Sequence, residues 1–195
     1  MKSFVSILLV TGLVFLGIVM FLWYQIFDNE IGPFDVNDIS ATESDIQIAT
    51  DLTIGKGTRL MKTVTEEGQI YALFEVHPYE GEIGIATFLP KSKKDRYKFD
   101  SASHSKNVIQ AKTLLASGNE GVVIGVRRGA SLHKLVVKRA HETIEKIVTK
   151  EPDFLEIVRF KSSLAADEIT IFGYDELGQE RAKTTIVRQS RSKKQ

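Results

Sequence analysis

Hydrophobic and polar positions divide the chain into three regimes. Phe4 to Tyr24 reads FVSILLVTGLVFLGIVMFLWY, 21 residues relieved only by Ser6, Thr11, Gly12 and Gly17. A long middle region carries short apolar runs separated by turn residues, and residues 188–195 hold no apolar side chain at all. In the middle region, Leu60–Thr65 and Gln69–Val76 flank Glu66-Glu67-Gly68, two alternating runs about a glycine turn that predict a β-hairpin. Glu82–Leu89 continues the alternation through Ile83, Ile85 and Phe88 and stops at Pro90 and the charged KSKKDR. Tyr97 and Phe99 alternate next. Val108–Ala116 then leads through Ser117-Gly118-Asn119-Glu120-Gly121 into VVIGVR at 122–127, and Phe154–Phe160 and Glu168–Tyr174 follow, the latter ending in Asp175-Glu176-Leu177-Gly178. Short runs at this spacing predict a mainly-β domain, an antiparallel sandwich or barrel-like fold.

Two segments depart from that rhythm. Ser40-Ala41-Thr42-Glu43 fits a capping box, and Gly55 closes a helix predicted to end near Ile54. Ile39, Ile46, Ala49 and Leu52 or Thr53 then share one face, which makes a short amphipathic helix; Ile46, Ile48, Leu52 and Ile54 also alternate, the rival strand pattern. Between Leu132 and Val148, Leu132, Leu135, Val136, Ala140, Thr143, Ile144 and Ile147 fall at helical spacing. The same stretch also reads as a hairpin, with Leu135 and Val137 alternating before a turn near Arg139–Glu142.

The first regime has the length of a membrane span. A bilayer core of about 30 Å takes roughly 20 apolar helical residues, because lipid offers the backbone no hydrogen-bond partner. The run exceeds the ~7–15 residues of a secretory signal and ends in bulky Trp23, Tyr24, Ile26 and Phe27 rather than small cleavage-site residues. It is read as an uncleaved signal-anchor, with Trp23 and Tyr24 at the headgroup level. Lys2 and the terminal amine precede the span, while Asp28, Glu30, Asp35 and Asp38 follow it. Cationic flanks stay in the cytoplasm, so the N-terminus is expected inside and the rest outside. Four parts result: an anchor at 1–27, an acidic linker at 28–40 read as a solvated spacer, a β-rich extracytoplasmic domain at 41–187 and a basic, disordered tail at 188–195.

Charge and composition narrow the function classes. Of 26 Lys+Arg and 25 Asp+Glu, only Lys2 precedes Asp28, so the exported part is formally neutral and no nucleic-acid partner is expected. The absence of Cys excludes disulfides, a thiol nucleophile, thiolate-held metals and a lipidated cysteine.

The succession of a helix, KGTRLMKTVTEEGQIYALFEV, GVVIGV and EITIFGYDELGQE resembles small exported proteins of Bacillus-type bacteria, over roughly residues 40–180. Those are lipoproteins or single-pass membrane proteins with a compact β-rich domain, mostly of unassigned function. The resemblance implies a hairpin at 132–148. This chain lacks the lipobox cysteine and carries the apolar span instead, and the family supplies no catalytic residues to carry over.

No catalytic pattern emerges from the residues themselves. His77, His104, His133 and His141 have neither a His-Glu-x-x-His arrangement nor a zinc-pair spacing and read as surface histidines. Ser103, His104 and any acid supply the ingredients of a triad, which geometry alone defines. Gly125-Val126-Arg127-Arg128-Gly129 lacks the Gly-Lys-Ser/Thr ending of a phosphate loop, and the acids of 28–38 miss the calcium-loop spacing. No cofactor and no metal are expected. Arg188, Arg191, Lys193 and Lys194 form an acid-free tail suited to an anionic lipid or wall polymer. The expected function is a non-enzymatic binding or interaction domain displayed at the cell membrane, for such an anion or for a protein partner. The alternatives are an envelope-acting hydrolase using Glu75, Glu80 or Glu82 as acid and base, and a structural or regulatory subunit of a membrane complex.

Overall fold

Each alternating run pairs with a neighbour, and every pairing is antiparallel. The computed structural model describes residues 34–55, 57–77, 81–114, 121–127, 129–148, 153–161 and 168–187. The span read at 4–24 and the tail at 188–195 lie outside the described residues. Among those described, no helix is long and apolar enough to cross a membrane. The folded unit begins at Val36. Strands β1 (Thr58–Glu66), β2 (Gln69–Val76), β3 (Ile83–Pro90) and β4 (Tyr97–Ser105) form a first sheet in that order. β5 (Ile109–Thr113), β6 (Gly121–Val126) and β9 (Phe154–Arg159) form a second, ordered β5-β6-β9. β7 (Lys134–Arg139), β8 (Glu142–Ile147), β10 (Glu168–Tyr174) and β11 (Glu180–Val187) form a third, ordered β11-β10-β7-β8.

Turn chemistry sets the hairpins. Glu67 and Gly68, with φ of 47° and 75°, join β1 to β2 in the two-residue left-handed turn that matches strand twist. Residues 132–148 are a hairpin, not a helix: β7 and β8 pair from Lys134↔Ile147 to Arg139↔Glu142 around Ala140 and His141.

The three sheets stack, and the second lies in the middle. Tyr71, Leu73, Ile83 and Ile85 of the first sheet pack with Val123 and Leu155 of the second. On its other face the second sheet joins Val122, Ile124, Val126 and Val158 to Leu135, Val137, Ile169 and Ile171 of the third. The expected sandwich therefore has three sheets rather than two, because β6 is apolar on both faces and needs a partner on each. Gly125 sets the spacing of the first two layers. A Cβ placed there would stand 2.5 Å from Leu73 Cδ1, so the leucine seats where a side chain is missing. On the far side of the first sheet, Ile70, Ala72, Phe74, Ala86 and Phe88 are also buried.

The helix, α1 (Glu43–Ile54), runs beside β1 and ends at Gly55, whose φ of 67° is the left-handed cap. Its start lies later than the capping box at Ser40 predicts. Thr42 is the N-cap and accepts from the Asp45 amide, while Asp45 in turn accepts from the Ser40 amide and hydroxyl at 2.9 and 2.6 Å. The buried stripe is Ile46, Ala49 and Thr50, and Leu52 is 58% exposed. Polar side chains of α1 occupy the open edge of β1: Gln47 accepts from the Leu60 amide and donates to the Thr58 carbonyl, and Asp51 accepts from the Thr58 amide. The edge is thus blunted without another strand.

At the opposite edge, the chain just before α1 joins β4. Ile39 and Tyr97 exchange backbone hydrogen bonds of 3.0 and 2.9 Å, and the Phe99 amide donates to the Val36 carbonyl. Asp38 is held by Arg96 at 2.9 Å and Lys91 at 3.2 Å, which lower its pKa to about 2. Residues 36–39 of the segment read as a solvated spacer are therefore part of the fold.

The seating of Leu73 on Gly125 predicts a coupled pair. Gly125→Ala should cost about 1–3 kcal/mol by overpacking and Leu73→Ala about 2–5 kcal/mol by loss of buried methyl groups. Together they should cost clearly less than the two separately, since the truncated leucine vacates the space the new methyl needs. Denaturant unfolding of the four proteins measures this, and strict additivity would show that the layers do not meet at this point.

Candidate anion-binding face

The third sheet has one covered and one open face. Along β10, Ile169, Ile171 and Gly173 turn toward the middle sheet, so Thr170, Phe172 and Tyr174 turn outward by the two-residue period. Pairing brings lysines to these rings from both neighbouring strands. Phe172 lies opposite Lys183 of β11 and Val136 of β7, Tyr174 opposite Lys134, and Thr170 opposite Lys138. The Lys138 and Lys183 ammoniums stand 5.2 and 5.3 Å from the Phe172 centroid, and that of Lys134 stands 5.8 Å from the Tyr174 centroid.

A ring attracts an ammonium through its negative π face, by about 0.5–1 kcal/mol where exposed. The rings therefore fix three flexible cations above the sheet. Lys134 also faces Glu145 at 3.4 Å, whereas Lys138 and Lys183 have no carboxylate partner among the described residues. Ile147 and Val187, 55% and 66% exposed, occupy the same face on the two edge strands. Arg188, Arg191, Lys193 and Lys194 lie outside the described residues, but the tail that carries them leaves directly from Val187 at the end of β11.

The other sequence candidates are dispersed. Ser103 pairs with Ile85 and His104 with Gly84, on opposite faces of β4, so they do not form a nucleophile–base pair. His104 Nδ1 instead lies 3.0 Å from Glu82 Oε2, with its ring edge-on to Phe74. Glu75 is bound by Arg59 at 2.6 Å on the other face of the first sheet, away from Glu82, and Glu80 lies outside the described residues. Arg127 donates to the Gly81 carbonyl at 3.1 Å and so secures the β2–β3 connection; Arg128 lies outside the described residues. His77, His133 and His141 are exposed. Among the described residues, no group of three acids or histidines is placed to hold a metal. A pocket of about 290 Å³ between α1 and β1 is lined by Glu43, Ser44, Gln47, Leu60, Met61 and Lys62. Its polar groups already serve the fold, with Gln47 on β1 and Lys62 Nζ 3.4 Å from the Asp153 carbonyl.

A second cation was not singled out by the sequence. On β5, Ile109 and Ala111 face the third sheet, so Gln110 and Lys112 face β4. Lys112 donates to the Ser101 carbonyl at 3.0 Å and hydroxyl at 2.8 Å, and Gln110 donates to the Ser105 hydroxyl at 2.6 Å. Burial lowers the Lys112 pKa to about 8, against a smaller opposing pull from Asp100. This seam is polar because β4 presents Ser101 and Ser105 to Lys112 and Gln110 of β5.

No family model matches the chain, and no curated protein or solved structure is significantly similar to it. The open lysine–aromatic face is thus identified by its geometry alone. It is hidden in the sequence because Phe172 meets Lys138, and Tyr174 meets Lys134, only through the pairing of β10 with β7, which are not successive strands.

Lys112 generates a pH prediction. The unfolded lysine keeps its proton up to its usual pKa of 10.5, while the folded one loses it near 8. Between those values the unfolded state binds more protons, so stability should rise with pH through that window, the charged form being the costly one below it. Thermal melts at pH 7.5, 9 and 10 should show that rise, and Lys112→Met should flatten it. Parallel curves for the two proteins would contradict a desolvated lysine.

Proposed function

We propose that this chain is a single-pass membrane protein whose β-rich domain, held outside the cell, is a non-enzymatic module that binds an anionic partner. Residues 4–24 supply the anchor, and Lys2 with the terminal amine retains the N-terminus in the cytoplasm. The chain would then stand with the exported β-rich proteins of Bacillus-type bacteria that it resembles. The observation that carries the binding reading is the outer face of the third sheet, where Lys138 and Lys183 flank Phe172 without a carboxylate to neutralise them. A protein of formal net charge +1 has no general excess of bases, so this cluster and the adjoining tail are local features.

Two measurements test the reading. Alkaline phosphatase fused after Gln195 should be active in an intact bacterium; an inactive fusion paired with a fluorescent cytoplasmic reporter would place the domain inside. Full-length protein in a zwitterionic detergent should be retained on immobilised dextran sulfate, with retention falling steeply as salt rises. Lys138→Gln and Lys183→Gln combined with removal of residues 188–195 should abolish retention without lowering the melting temperature. Unchanged retention would refute an anion site at this face.

A further inference from the structure

We propose that two copies of this chain associate through strand β8, paired antiparallel across a two-fold axis and centred on Ile144; this goes beyond the anion-binding reading and does not rest on it. Among the described residues, β8 is the sheet edge that the fold leaves uncovered. The edge of β1 is taken by α1 and that of β4 by residues 36–39, while β11 lies beside β5 and β9 beside β1. β8 ends the third sheet with β7 as its neighbour. An open row of backbone donors and acceptors is a template for another strand.

The β7–β8 ladder fixes which groups face outward. The Val148 amide donates to the His133 carbonyl at 2.8 Å, which continues the pairing that runs from Arg139↔Glu142 to Lys134↔Ile147. Bonded positions alternate along an antiparallel ladder. Glu142, Ile144 and Lys146 therefore bond to β7, and Thr143, Glu145 and Ile147 turn their amides and carbonyls away from it. Among the described residues these three have no backbone partner. Side chains alternate with the same period. Ile144 packs against the core and Lys146 reaches Glu156 of β9 at 3.1 Å, whereas Thr143, Glu145 and Ile147 are exposed.

Charge then selects the partner and the register. Self-pairing has to join outward backbone groups and match like faces, and overlap of most of the strand leaves a register centred on Ile144 and another centred on Glu145. The second sets Glu145 directly opposite its own copy, a like-charge pair that opposes association. The first sets Ile144 against Ile144, flanked on either side by Glu142 opposite Lys146, with Thr143 and Glu145 exchanging the backbone bonds. Apolar and opposite-charge pairs at such positions favour pairing. The strand is thus complementary to itself, as a two-fold contact requires. Glu142 also accepts from the Lys161 amide at 2.8 Å, and Lys146 also meets Glu156; a carboxylate and an ammonium each serve several partners. The contact is small beside the roughly 1,200–2,000 Å² of a stable interface, so the pair is reversible and β8 is an edge again in dilute solution.

The test uses the full-length chain in detergent, which has no cysteine of its own. Ile144→Cys would face its own copy at a position not hydrogen-bonded across the axis, where Cα atoms approach to about 4.5 Å, within disulfide reach. It should yield a linked dimer on mild oxidation, and Glu145→Cys and Lys146→Cys far less. Thr143→Pro removes an amide that β7 does not use, so it should cut the Ile144→Cys crosslink about tenfold without lowering the melting temperature. Glu142→Lys and Lys146→Glu should each weaken association about tenfold in sedimentation equilibrium, and an equal mixture of the two should restore it. A Glu145→Cys crosslink as strong as that of Ile144→Cys would overturn the register. Single charge variants that associate like the unaltered chain would overturn the pairing. If Thr143→Pro lowers the melting temperature, the mixture decides, and a mixture that stays as weak as its components refutes association through β8.

Discussion

Strand β6 carries only valine, isoleucine and glycine from Gly121 to Val126, and all six residues are buried. A strand with no polar face cannot lie at the surface of a two-layer sandwich, because one row of its side chains would face water. At roughly 25 cal/mol per Å² of apolar surface, leaving either row of β6 uncovered would cost more than most single contacts contribute. The rest of the domain meets that demand: the β1–β4 sheet covers one side and the β7–β11 sheet the other. The glycines of β6 are part of the solution. Gly125 admits Leu73 from the first sheet, and Gly121 admits Leu114, whose Cδ1 would stand 2.5 Å from a Cβ there.

Once β6 is central, the outer layers take different roles. The first sheet buries its far face too, and α1 and residues 36–39 satisfy its edges with side-chain and backbone hydrogen bonds. The third sheet has only its inner face in the core, and its outer face meets solvent through alternating positions. Apolar rings exposed on such a face are stabilised by long cationic side chains whose stems cover them while their charges stay wet. Phe172 and Tyr174 are covered in this way by Lys138, Lys183 and Lys134. A cation cluster on an otherwise balanced surface is thus a consequence of the layering.

The parts of this arrangement governed by local chemistry were legible in the sequence. The Glu67-Gly68 turn, the Gly55 cap and most strands fall where turn residues and alternation place them. The hairpin at 132–148 was ambiguous for a physical reason. Val136 lies on the outer face but is 7% exposed, opposite Phe172, so Leu135, Val136 and Val137 form an apolar run that also matches a helix. β11 went unassigned because its inward residues are Ala182, Thr184 and Ile186, only one of them strongly apolar. The third layer and the lysine face were hidden more deeply. Both depend on which strands become neighbours, and the β10–β7 pairing follows from long-range packing that no local window contains.

The layered arrangement places β6 among the most protected strands of the domain, and native-state amide hydrogen exchange measures that directly. The hydrogen-bonded amides between Val122 and Val126 should exchange only through global unfolding, with protection equal to the stability found by denaturant, while those of the edge strand β8 open locally and faster. Exchange from β6 as rapid as from β8 would contradict a domain built outward from a doubly buried central sheet.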